Sequence, residues 1–191
     1  MIRKLQITDI TQVVKLHKNE LSGFLSELGI PFLKKFYKVS LDIPEMFTYV
    51  EENNGHILGF TSGISRTKGL YKKIIFKNIF YLIVPLLSYF IVHPLKVIKM
   101  LKILSYPAFS EDIPELLTLV VKKEEQNRGI GRKLFQAVSE EFEKRRIKEF
   151  YVSAYERLLA NGFYRKIGCR LDRSFNFLGE KMNYYKCRII K

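Results

Sequence analysis

The stretch Val121 to Phe135, VKKEEQNRGIGRKLF, places Gln126, Arg128, Gly129, Gly131 and Arg132 at a junction between an apolar run, LLTLVV, and an amphipathic one. A strand that ends in such a polar turn and restarts as a helix leaves the first N–H groups of the helix without intrahelical acceptors. The aligned peptide dipoles add partial positive charge at the same place. Anions collect there. Two glycines remove the side chains that would keep a bulky anion at a distance, so the amides of Asn127, Arg128, Gly129, Ile130, Gly131 and Arg132 become donors at close range. The chemistry that fits is the cradling of a diphosphate, such as the pyrophosphate of a coenzyme. The side chains of Arg128 and Arg132 assist without being required. A solvated basic turn is the plainer alternative, and the flanking pattern favours the cradle. A dinucleotide fingerprint would need three glycines near the first strand and an acid about 20 residues later. A nucleotide P-loop would need Gly-Lys-Ser/Thr. Neither is present.

The elements that must hold this turn lie on both sides of it. PELLTLVVKKE has the nearly continuous apolar centre of a strand buried on both faces. From Gly131 onward, Leu134, Val138 and Phe142 recur four apart, which predicts a helix. KEFYVSAY predicts the next strand, ERLLANGFYRKIG a short helix stopping at Gly168, and RLDRSFNFLG with EKMNYYKCRII two antiparallel strands around Gly179-Glu180. Upstream, IRKLQIT predicts a short strand. Thr8 and Asp9 offer caps to a helix carrying Ile10, Val13, Val14 and Leu16, and IPFLKKFYKVSLD predicts a second helix. In MFTYVEENNGHILGFTSGI the Asn54-Gly55 pair predicts a tight hairpin, because both residue types accept positive φ.

A chain of 191 residues suits a single domain spanning residues 1–191. Its formal charge of +14 comes from 33 Lys and Arg against 19 Asp and Glu. The excess is concentrated: from Asn53 through Ser110 there is no acid, while Arg66, Lys68, Lys72, Lys73, Lys77, Lys96, Lys99 and Lys102 all fall there. The uncharged core of that segment, Asn78 to His93, is shorter than the ~18 apolar residues of a spanning helix, and Pro85 and Pro94 interrupt it. The expectation is two short helices joined near His93-Pro94. Cys169 and Cys187 show no metal-ligand spacing, and the N-terminus has no apolar run of the secretory kind. Free thiols and a reducing, cytoplasmic location are expected. His17, His56 and His93 form no metal-ligand pattern either, so no metal is expected.

LTLVVKKEEQNRGIGRKL resembles motif A of the GNAT superfamily of acyl-CoA transferases: Gln126, Asn127, Arg128, Gly129, Ile130, Gly131, directly after a core strand. ANGFYRKIG resembles the later motif of the same family, with Ala160, Phe163, Tyr164 and Gly168 in a short helix after the next strand. The resemblance extends over most of the chain apart from roughly 66 to 109. It implies a single-domain α/β (α+β) fold: a mixed, strongly twisted sheet of about six to seven strands flanked by helices, splayed between the motif A strand and the next. It further implies acetyl-CoA as co-substrate and direct transfer of the acetyl group to an amine.

The resemblance also implies roles. Leu119 and Val121 would offer main-chain groups to the pantetheine arm and the thioester carbonyl, and Asn127 to Arg132 would bind the pyrophosphate. Tyr164 would protonate the departing thiolate, a task suited to a phenol that stays neutral at physiological pH. Two positions depart from the pattern: Arg157 stands where an asparagine is usual, and Cys169 where an aromatic follows the glycine. The glutamate used as base by several members has Val152 in its place here, which leaves Glu115 as the best carboxylate, with Tyr155 and Glu156 weaker.

The basic apolar insertion at about 66–109 lies where the acceptor site is usually bordered. Three readings stand: a roof over the acceptor that draws an anionic substrate such as a nucleotide-linked sugar, an in-plane contact with anionic lipid, or an extension of the core. A non-catalytic coenzyme-binding or membrane-surface module is the alternative to an enzyme. No nucleic-acid partner is expected, because the basic segment is too apolar for an exposed phosphate track. Monomer and homodimer both remain open, as do the acceptor and the length of the acyl group.

Overall fold

Asn54 (φ 48°) and Gly55 (φ 78°) turn the chain back between strands β2 (Met46–Asn53) and β3 (His56–Ile64), the hairpin that the Asn-Gly pair demands. Around it the computed structural model describes residues 1–66, 84, 87, 90–93 and 112–189. β1 (Ile2–Lys4) precedes helices α1 (Ile10–Glu20), α2 (Phe24–Glu27) and α3 (Gly29–Ser40). After the hairpin come β4 (Glu115–Val121), α4 (Ile130–Lys144), β5 (Glu149–Tyr155), α5 (Ala160–Lys166), β6 (Arg170–Phe177) and β7 (Glu180–Arg188). The seven strands form one sheet in the order β1-β2-β3-β4-β5-β7-β6, antiparallel throughout except for the parallel pair β4–β5.

The apolar stripe of α4 explains its place. Leu134, Val138 and Phe142 are fully buried, with Phe142 stacked on Phe150 of β5 and edge-on to Phe47 of β2. The helix lies so close to β3 that a Cβ on Gly59 would come 3.0 Å from the Leu134 side chain. On the other face of the sheet, Val13 and Val14 of α1 and Leu33 and Tyr37 of α3 pack against Val50, Phe60 and Val120.

Asp9 stands at the N-terminus of α1 but does not cap it with its side chain. Its carboxylate instead takes both ends of the Arg3 guanidinium (2.6 and 2.8 Å) and the Gln6 amide (2.8 Å), which holds it below the usual carboxylate range.

Two expectations are corrected. Cys169 and Cys187 are not free thiols: they are bonded to each other, with their Cα atoms 4.3 Å apart. A bulge between Leu171 and Arg173 shifts the β6–β7 register so that Arg170 faces Lys186, which brings the preceding cysteine opposite Cys187. Paired in this way, the two residues no longer argue for a reducing compartment. The motif A strand is also not buried along its whole length. Leu117, Thr118 and Leu119 are only half-buried, because β5 leaves β4 after Leu116.

Most of the basic apolar segment, including Pro94 of the expected junction at His93-Pro94, lies outside the described residues. Within it, Val84, Leu87 and Phe90 to Val92 are helical.

Candidate active site

After β4 the chain makes a short 3-10 turn, Lys123–Glu125, and reaches Gln126, whose side-chain amide donates back to the Val121 carbonyl (3.1 Å) and folds the loop against its own strand. Asn127 (φ 62°) and Gly129 (φ 79°) then take left-handed conformations around Arg128. Asparagine tolerates that region and glycine enters it without a Cβ penalty. The first bond of α4 runs from Lys133 N to Gly129 O (3.1 Å). The amides of Ile130, Gly131 and Arg132 therefore lie ahead of the helical ladder and point out of its start. A Cβ on Gly129 would meet open space. Arg128 is occupied with Glu125 (2.9 Å), so its guanidinium leans along the turn.

The strand that leads into this turn has one open edge. β4 and β5 pair only at Glu115 with Tyr151 and Leu116 with Val152. Along an antiparallel ladder each residue points its N–H and C=O to one side and its neighbours point theirs to the other. Lys122 N bonds Leu58 O in β3 (2.8 Å), so Lys122 and its alternates face β3. Leu119 and Val121 consequently direct their main-chain groups toward β5, across a gap that β5 does not fill. Gln126 takes the Val121 carbonyl, leaving the two N–H groups aimed into the gap beside the glycine turn.

α5 closes the far side. Phe163 approaches the start of α4: a Cβ on Gly131 would lie 3.6 Å from its ring and 3.8 Å from the Leu119 side chain. Tyr164 is buried, with its ring 5.9 Å from that of Tyr185 on β7, and burial pushes its phenol well above the ordinary tyrosine range. It remains the neutral, proton-bearing form at physiological pH. Gly168 (φ 91°) ends the helix as its position promised.

The structure brings Leu119, Val121 and the amides of Asn127 to Arg132 into one continuous surface, and the contact of Phe163 with Gly131 ties the Tyr164 helix to it. Glu115 lies elsewhere on the same strand, at the closed end of the gap, paired across the sheet with Ile64 and Tyr151 and only 2 % exposed. Val152, beside Leu116, is core. Tyr155 is half-buried at the end of β5, and Glu156 is engaged with Lys181 (2.7 Å). Between α1 and α2 a groove of about 430 Å³, lined by Lys18, Glu20, Ser22, Ser26 and Glu27 among others, opens beside the turn. Glu20 reaches the Lys123 amide (3.4 Å).

Two residues were missed from the sequence. Gln126 was counted as a motif letter, yet its side chain braces the turn. Asn161, in the first turn of α5, is a buried hydrogen-bond hub, and nothing in an amphipathic pattern marks an asparagine as such. No group of three or more His, Cys, Asp or Glu that could hold a metal occurs among the described residues.

A family model described as an acetyltransferase (GNAT) domain matches residues 95–181. A search of curated proteins finds no match. Among solved structures, an N-acetyltransferase from Staphylococcus aureus Mu50 is similar with a TM-score of 0.65 at 13% identity, over 100% of this chain and 98% of that one. The ribosomal-protein-S18-alanine N-acetyltransferase from Escherichia coli gives a TM-score of 0.63 at 13% identity, over 99% and 93%. The PaiA N-acetyltransferase from Thermoplasma acidophilum, solved in complex with coenzyme A, gives 0.60 at 15% identity, over 98% of each. At these identities the likeness is one of fold.

Proposed function

We propose that the chain, whose residues 95–181 match the GNAT acetyltransferase model and whose fold is shared with solved N-acetyltransferases, is a GNAT enzyme that moves the acetyl group of acetyl-CoA directly onto a primary amine, with both substrates bound together. The single observation that carries this reading is the open β4 edge running into the turn: a strand-like amide arm fits the gap while its diphosphate meets the start of α4.

In this mechanism the amides of Asn127, Arg128, Gly129, Ile130, Gly131 and Arg132 bind the pyrophosphate, and Leu119 and Val121 pair with the pantetheine arm. The amine lone pair attacks the thioester carbonyl carbon. As the C–N bond forms, negative charge develops on the oxygen, and an N–H of the β4 edge stabilises it. Collapse breaks the C–S bond. The thiolate takes the hydroxyl proton of Tyr164, which burial keeps on the phenol. The amine loses its proton to a base, and Glu115 is the carboxylate of β4 assigned to it, acting through water.

The acceptor we favour is a small molecule, such as an amino sugar or nucleotide-linked sugar, drawn by the basic segment at 66–109; a protein amine is the second class. The test is release of free thiol from acetyl-CoA with a panel holding an amino sugar, a polyamine, a nucleotide-linked amino sugar and a peptide N-terminus. Acetylation of one of them is expected. Coenzyme binding with no turnover on any would favour a non-catalytic coenzyme-binding module.

One observation supports an added contact with a membrane surface. Val84, Leu87, Ile91 and Val92 are helical and 56%, 53%, 81% and 70% exposed within the acid-free stretch. No helix among the described residues is long and apolar enough to cross a membrane. Flotation with anionic vesicles tests this contact, and equal recovery with neutral vesicles would remove the electrostatic part.

A further inference from the structure

α5 is seven residues long, too short to persist on its own hydrogen bonds, and Leu159 at its N-cap makes no side-chain cap. Asn161, inside the first turn, instead fastens the connection that leads into the helix. Its side chain is buried, 4 % exposed. The side-chain amide donates to the carbonyls of Leu158 (2.7 Å), Tyr155 (2.8 Å) and Glu156 (3.2 Å). Its oxygen accepts from the Asn183 amide (2.9 Å) and the Tyr185 hydroxyl (3.0 Å), both on β7. Asn183 in turn accepts from Ser174 of β6 (2.7 Å). Every donor and lone pair of the Asn161 amide is engaged. One side chain thus joins the end of β5, the start of α5 and β7, and reaches the edge strand through its neighbour.

Tyr164 lies one helical turn further on the same face. Its ring packs against Tyr185, whose hydroxyl is bound to Asn161. Arg157, upstream in the connection, points away to Glu180 (2.5 Å), so the carbonyls of the turn are left to Asn161. Resting on the acid role proposed for Tyr164, we infer that Asn161 is a positioning residue: without touching either substrate, it locks α5 onto β5 and β7 so that the Tyr164 hydroxyl meets the departing sulfur.

A double-mutant cycle separates this role from general support of the fold. Turnover is read as thiol release from acetyl-CoA with the fastest amine of the panel. Asn161→Ala should lower kcat by roughly ten- to a hundredfold, since small misplacements of a reacting group have effects of that size. The KM for acetyl-CoA should change by less than about twofold, because the hydrogen bonds of Asn161 run to the β5–α5 connection and β7 and none to the turn at Asn127 to Arg132. In a Tyr164→Phe background the same change should add almost nothing, as there is no longer a proton donor to misplace. Losses that multiply would overturn the inference, as would a loss confined to KM. Wild-type turnover in Tyr164→Phe alone would sink the acid and, with it, the reason to position it.

If Asn161→Ala does not fold, Tyr185→Phe removes one bond to the Asn161 oxygen while keeping the ring, and the same cycle with Tyr164→Phe decides. If no amine turns over, the functional reading falls by itself. Hydrogen exchange then judges the anchor: α5 amides should exchange at least tenfold faster in Asn161→Ala with coenzyme A affinity intact, and unchanged exchange rejects it.

Discussion

The amide of Cys169 donates to the carbonyl of Tyr164 (3.0 Å), and the sulfur of the same residue is bonded to Cys187 on β7. The helix that carries the proposed acid is therefore fastened covalently at its C-terminal end and by Asn161 at its N-terminal end. Closing a loop with a sequence separation of 18 is worth about 3 kcal/mol by chain entropy. Replacing both cysteines with alanine should lower stability by about that amount in denaturant melts. Alkylation of the unreduced, denatured protein followed by intact mass should show no modified thiol; two labelled cysteines would refute the bond.

Tyr164→Phe keeps the ring against Tyr185 and removes the proton. Turnover at saturation should fall on the order of a hundredfold with little change in coenzyme affinity. Because burial raises this phenol, the protonated form persists to higher pH than in a free tyrosine, so kcat should show no alkaline limb from it below about pH 10. Loss of affinity with intact turnover at saturation would reassign the residue to binding.

The two glycines of the turn should respond differently. Gly129→Ala places a Cβ at φ 79°, which costs about 1 to 2 kcal/mol of stability and also weakens coenzyme A binding. Gly131→Ala meets only ordinary contacts, 3.6 Å or more from Phe163 and Leu119, so folding should be nearly unchanged while calorimetry shows roughly tenfold weaker binding as the diphosphate is held off. Full affinity in Gly131→Ala would mean that the anion does not approach its amide.

His17 is buried under Phe60 with Nδ1 2.7 Å from the Tyr37 hydroxyl, and burial lowers its pKa to about 4. The folded protein keeps it neutral where the unfolded chain, titrating near 6.5, takes up a proton. Stability is therefore full above about pH 6.5 and falls as pH drops toward 4, by at most about 3 kcal/mol. His17→Phe should flatten that part of the stability–pH curve; an unchanged slope would place its origin in other groups.

Much of this architecture was legible in the chain because local rules and tertiary packing agree. The Asn54-Gly55 turn, the Leu134, Val138 and Phe142 stripe and Gly168 each specify their surroundings within a few residues. The glycine turn ahead of α4 was legible for the same reason, since Asn127 and Gly129 take the left-handed conformations their residue types permit. The disulfide was not. From the Leu178-Gly179 turn alone, Phe177 opposite Glu180 implies a register that sets Cys187 across from Arg170; only the bulge near Asp172 moves Cys169 into that place. Asn161 was hidden because its partners come from β5, α5 and β7, which no spacing rule joins.

The parting of β4 from β5 after Leu116 leaves two leaves of one sheet, β1 to β4 and β5 to β7, hinged at a single end like a clothes-peg. A thioester donor lying between the jaws would act as a temporary rung, so each catalytic cycle would begin by completing the protein's own sheet. The spent thiol keeps the same amide arm and the same diphosphate, and so keeps the rung. Its departure, more than the making of the new amide, is then the event that has to unzip the molecule, and a slow last step is what such a peg would impose.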